Sequence, residues 1–154
     1  MGAKRGMDAK LYYKEGGVQA DGSWAELTNV RDLTLGMEKG EADVSTRGNN
    51  GWRARLSTLK DGTVEFQMVW DPSDAGFEAI HDAYMNNNKI GLKILDDVEA
   101  TGTGLRADFE IFNFSRNEPL EEGVTVDVTA KITYSSYAPE WIEQGAIPTG
   151  TATY

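Results

Sequence analysis

The chain has 154 residues, no cysteine, one histidine and a formal net charge of -10. The missing thiols exclude a disulfide framework and thiolate metal sites, and one histidine leaves little for a histidine-held zinc or a Ser-His-Asp triad. The acid excess opposes gripping of nucleic acid through phosphate contacts, whereas 40% hydrophobic residues are enough for one modest core. The expectation is one domain over 1–154, with a flexible lead (1–9) and a flexible tail (145–154). No run of about 18 apolar residues spans a membrane, and Met1–Gly6 lacks the apolar centre of a signal peptide.

Lys10–Tyr13 reads as a short strand and 15–23 as a Gly-rich loop. Residues 24–35, with Val30, Leu33 and Leu35, read as a second strand. The segment from about 36 to 51 is rich in charge, glycine and asparagine and reads as a long inter-strand loop. It exceeds the usual hairpin connection of about 2–5 residues, so it is expected to be functional, disordered or ordered by a partner. Trp52–Leu56 alternates at period two, and Asp61-Gly62 carries a tight-turn signal. In 63–70, Val64, Phe66, Met68 and Trp70 share one strand face.

Asp71 and Pro72 mark a helix start, and Phe77, Ile80, Ala83 and Tyr84 recur at helical spacing. Asn86–Asn88 ends the helix, giving about 72–87. Strands follow at 90–95, at 105–111 and at 124–132, where Val124, Val126, Val128, Ala130 and Ile132 alternate with polar residues. The fold class is mainly β: an antiparallel β-sandwich or barrel with one flanking α-helix. Its edge strands offer free backbone groups to another chain.

No motif supplies catalysis. Glu78 and His81 share a helix face but lack further metal ligands. Asp96, Asp97 and Glu99 lack calcium-loop spacing. Glu118, Glu121 and Glu122 fit a charged turn better than a hydrolytic pair. Thr101–Gly104 lacks the lysine and helix of a phosphate loop. Trp24, Trp52, Trp70 and Trp141 are the residues a carbohydrate-binding β-sandwich would use, which is the alternative reading. No catalytic residue, metal site or cofactor is expected.

The wording of several segments resembles one family. Glu26–Asp32 leads into Glu38-Lys39-Gly40-Glu41-Ala42-Asp43-Val44 and then Ser45-Thr46-Arg47-Gly48-Asn49-Asn50-Gly51-Trp52. Phe66–Asp71 and Phe114–Glu122 follow. From about Trp24 to Glu143 the chain is similar to the major tail tube proteins of long-tailed bacteriophages. The resemblance implies a structural subunit of a virion, assembled in the host cytoplasm. Such subunits form hexameric rings that stack into a hollow tube through which DNA passes during ejection. The implied partners are further copies of the chain, a tape-measure protein and a tail terminator, with no membrane insertion. Within that frame the inter-strand loop, through Glu38, Lys39, Glu41, Asp43 and Arg47, is expected to make ring-to-ring contacts. Glu65, Asp108, Glu110 and Asp127, on polar strand faces, are the candidates for an acidic lumen lining.

Overall fold

Alternating side chains set the core. Val64, Phe66 and Met68 are buried and lie opposite Ala130, Val128 and Val126 in register. Each such side chain is worth roughly 1.5–3 kcal/mol on burial. The computed structural model describes residues 5–6, 9–118, 120 and 123–143. Most of the lead 1–9, the tail 145–154, and Glu121 and Glu122 lie outside the described residues.

Within that range the strands are β1 (Lys10–Glu15), β2 (Ala25–Glu26), β3 (Val30–Asp43), β4 (Arg55–Val69), β5 (Ile90–Leu95), β6 (Gly104–Asn117), β7 (Thr125–Ile132) and β8 (Glu140–Ile142). Helix α1 (Ala75–Met85) lies between β4 and β5. All pairings are antiparallel, in the order β2-β1-β5-β6-β7-β4-β3, with β8 beside the start of β6. The sheet curls into a half-barrel, and α1 packs on its core face with Phe77, Ile80 and Ala83 in the core. The mainly β fold with one helix is thus as expected.

The helix starts one turn later than its sequence signal. Asp74 is the cap, accepting the Phe77 amide at 3.0 Å. Asp71 instead shapes the preceding turn, accepting the Ser73 amide at 3.1 Å and its hydroxyl at 2.6 Å. At the other end Asn87 takes φ 55°, and the Asn88 amide reaches back to the Ala83 carbonyl at 3.1 Å. That left-handed stop is the role expected of the asparagines.

Two expectations about local structure are corrected. The segment 36–51 is not a loop throughout, because β3 runs unbroken to Asp43 and pairs with β4 down to Arg55. Asp61-Gly62 is not a turn: these residues sit within β4, opposite Glu38 and Met37. Gly62 is there for space, since a Cβ would lie 2.7 Å from Ile132 Cδ1. The strand was hidden because both of its faces meet solvent, so no apolar alternation marks it.

Candidate assembly surfaces

The last residue of β4 that pairs with β7 on the arm side is Thr63, opposite Lys131. Beyond it, Met37–Asp43 and Arg55–Gly62 pair only with each other. At about 3.3 Å per residue this two-stranded arm leaves the sheet by roughly 20 Å. A register shift between Lys39 and Glu41 sets two β4 residues, Thr58 and Leu59, against Gly40. A side chain at Gly40 would run into Thr58 Oγ1.

Short polar contacts build the tip. The Val44 amide donates to the Ala54 carbonyl at 3.0 Å, and the Ala54 amide donates to Ser45 Oγ at 2.7 Å. The Thr46 amide donates to Asn49 Oδ1 at 2.6 Å ahead of a 3-10 turn, Arg47–Asn49. Asn50 at φ 53° and Gly51 at φ 83° return the chain. Asp43 accepts the Ser45 amide at 2.9 Å. Hydrogen bonding by Ser45, side chain and backbone, holds the Asp43 carboxyl below its ordinary range.

The arm is poorly satisfied by its own atoms. Trp52 is 81% exposed, Leu59 83% and Leu56 60%. Glu38 lies opposite Asp61, and Lys39 opposite Lys60. Like charges directly across a ladder destabilise it. Glu41 does pair with Arg55, at 3.7 Å. Four of the five expected contact residues, Glu38, Lys39, Glu41 and Asp43, therefore lie on β3 in the arm, and Arg47 opens the tip turn.

All four lumen candidates share a sheet face by register, and three of them are not covered by other segments. Register places Glu65 opposite Thr129, Asp127 opposite Gln67 and Ser115, and Glu110 opposite Lys131. Thr125, Thr129, Thr63 and Asn117 fill the spaces between them on the side away from the core. Asp127 accepts amide donors from Gln67 at 3.1 Å and Asn117 at 2.6 Å. Asp108 departs from the expectation. It is 2% exposed, because the segments around Val18 and Ser135 cover the sheet at that point. Its carboxylate accepts the Val18 amide at 2.6 Å and the Ser135 hydroxyl. It fastens those segments to β6.

Two long edges are open among the described residues. β3 pairs with β4 alone, and β5 ends opposite Phe109, leaving Glu110–Asn117 of β6 without a strand on that side. A register shift between Ile111 and Asn113 turns Phe112 outward, 56% exposed. The adjacent apolar pair Ile111-Phe112, which breaks strict alternation, was the available signal. Beside this edge Trp70, Phe77 and Phe114 meet edge to face, with centroids 5.0 and 5.8 Å apart, and His81 and Tyr84 flank Phe114.

The other polar clusters are spent on structure. Asp96 accepts the Thr103 amide at 2.9 Å, Asp97 accepts the Val98 amide at 2.8 Å, and Glu99 pairs with buried Lys93 at 2.9 Å. His81 is within 3.8 Å of Asp82, and no group of three metal-ligating side chains occurs among the described residues. Arg106 bridges Tyr137 and Glu140, the latter at 3.1 Å. Burial, reinforced by Glu140, pushes the Tyr137 phenol up to about 12. The four tryptophans do not gather: Trp24 packs beside Lys93, Trp70 on α1, Trp52 caps the arm and Trp141 lies on β8.

A curled sheet with open edges and an unsupported arm is the architecture of a subunit built to meet others, and solved structures of tail assemblies share the fold. The SPP1 tail tube subunit superposes with a TM-score of 0.69 at 20% identity, covering 96% of this chain and 82% of that one. The tail of an empty gene transfer agent particle, solved with C6 symmetry, gives 0.67 at 12% identity, covering 86% and 96%. A baseplate of the anti-feeding prophage gives 0.53 at 6% identity, covering 88% and 92%. No curated protein sequence matches the chain. The model of the phage tail tube protein family matches residues 4–134, so the chain belongs to that family. It is a structural subunit of a phage tail tube and a component of the virion.

Proposed function

We propose that the protein closes into six-membered rings that stack into a tube through which DNA leaves the particle. The arm carries this reading: it holds charged and large apolar side chains, Trp52, Leu56 and Leu59 among them, exposed and away from the sheet. Ring closure would use the open edges, β3 of one copy meeting Glu110–Asn117 of the next. A heterologous contact of that kind generates a closed ring when the rotation closes. Stacking would use Glu38, Lys39, Glu41, Asp43 and Arg47 together with the exposed Trp52, Leu56 and Leu59. Repetition around a ring multiplies weak contacts through avidity.

The polar outer face of β3, β4, β7 and β6 would then form the bore. Glu65, Glu110 and Asp127 would repel phosphate, so DNA slides without sticking. A tape-measure protein inside and a terminator at the end would set tube length during assembly in the host cytoplasm. No catalytic role is assigned. The test is electron microscopy of the purified protein at high concentration, beside a variant in which Asn-Gly replaces Lys39–Lys60. Tubes of uniform width for the parent, and a folded variant without tubes, are expected. Tubes from the shortened variant would remove the arm from the stacking contact.

A further inference from the structure

The charge of the chain is distributed unevenly. Residues 44–55 hold Arg47, Arg53 and Arg55 and no acid, whereas residues 71–87 hold Asp71, Asp74, Glu78 and Asp82 and no lysine or arginine. The basic segment is the arm tip, and the acidic one is α1 with its approach. Arg47 and Arg53 make no ion pair among the described residues, and Glu78 makes none either. Asp74 is committed to its cap, so the carboxylates facing solvent along α1 are Glu78 and Asp82, the latter 3.8 Å from His81.

Beside them lies an open cleft of about 520 Å³, lined by Trp70, Pro72, Phe77, Glu78, His81 and Asp82. Its lining is aromatic and acidic, and the Arg116 guanidinium lies over the Trp70 ring, 4.9 Å from its centroid. The arm tip offers the converse, an exposed indole at Trp52 flanked by unpaired guanidinium groups. Tryptophan and arginine are the side chains most often found as interface anchors.

We propose that the arm tip of one copy seats on the α1 cleft of a second copy. Trp52 enters over Trp70 and Phe77, while Arg47 and Arg53 meet Glu78 and Asp82. The assignment rests on the stacking reading above and names the surface that the arm meets. It also gives the helix a use besides closing the core.

The absence of cysteine makes the contact directly testable. Gly48→Cys places a thiol on the tip and Ala75→Cys one beside the cleft, both at exposed positions. Concentrated mixtures of the two full-length variants, oxidised and run under non-reducing conditions, should give a disulfide-linked dimer. Gly48→Cys mixed with Asp21→Cys, on the remote Gly-rich loop, should not. Adding Arg47→Glu and Arg53→Glu to the tip variant should lower the yield about tenfold. Placing Glu78→Arg and Asp82→Arg on its partner should restore it, and thermal melts confirm that every variant is folded. Tubes by microscopy without cross-linking above the control would overturn the docking assignment while leaving the tube reading intact. Neither tubes nor cross-links would overturn both.

Discussion

Strand β4 has two halves that live under different rules. From Gly62 to Val69 it alternates between buried and partly exposed residues, with Val64 and Met68 fully enclosed. From Arg55 to Asp61 every residue is exposed. Both halves pair with β3, the outer one with a register shift at Gly40. The inner half is held by burial of apolar surface, and the outer half by hydrogen bonds that water competes for, which are worth little net. On the proposed reading, fold and assembly separate along a single strand, so damage to one half should leave the other readable.

The largest effect is expected in the body. Phe109→Ala empties a site with no solvent exposure and should cost about 3–5 kcal/mol, seen as a lower denaturant midpoint. Next is Asp108→Ala, which leaves the Val18 amide and the Ser135 hydroxyl without their acceptor. A loss of roughly 1–3 kcal/mol is expected. Asp108→Asn should lose less, because its carbonyl still accepts the Val18 amide.

A third test is alkaline. The Tyr137 phenol rises from 10.0 to about 12, so the folded form keeps its proton where the unfolded chain loses it. The stabilisation is complete below pH 10 and is lost between pH 10 and about 12. Tyr137→Phe should flatten that part of a stability-against-pH curve. The arm should respond in the opposite pH range. Asp43 is lowered from 3.8, so its contribution is present above that value and disappears as pH falls through the depressed one. The protection of the Ser45 amide, taken relative to its intrinsic exchange rate at each pH, should fall in acid while that of Phe66 is retained.

The smallest effect on folding should accompany a large effect on assembly. Leu59→Ala on the arm should change stability by no more than about 0.5 kcal/mol, yet reduce tube formation measured by sedimentation. A variant that lost stability as Phe109→Ala does would erase the distinction between the two halves.

What could be read beforehand follows the same division. The strand at 124–132 and the apolar face of α1 were legible because burial on one side writes a period into the sequence, whereas 90–95, buried on both faces, was legible as a short apolar run. The stop at Asn86–Asn88 was legible because its chemistry is local. The outer half of β3 was not, since a strand wet on both faces has no apolar period and its polar residues match those of a loop. Asp61-Gly62 misled for a related reason: the glycine answers to Ile132 across the sheet, a contact far away in sequence. Asp108 looked like its neighbour Glu110 on the same strand face, and only the cover from the segments around Val18 and Ser135 distinguishes them. The assembly residues named from resemblance, Glu38 to Arg47, fall on the arm, but the apolar Trp52, Leu56 and Leu59 beside them had no periodic signal.

The two-against-one step at Gly40 is an elbow. A bulge of this kind bends its strand and increases its twist, so everything beyond it, from Glu41 to the tip, is aimed by one extra residue. The part past the elbow is a lever of roughly 10 Å before the tip begins, and a modest change of angle moves Trp52 by several ångströms. In a stacked tube the same elbow would recur in every subunit, so its angle would add from ring to ring and appear as the pitch of the whole filament. Deleting Leu59 straightens the ladder locally while leaving the body untouched. The helical rotation between successive rings, measured on images of the assembled variant, is where that single residue should be visible.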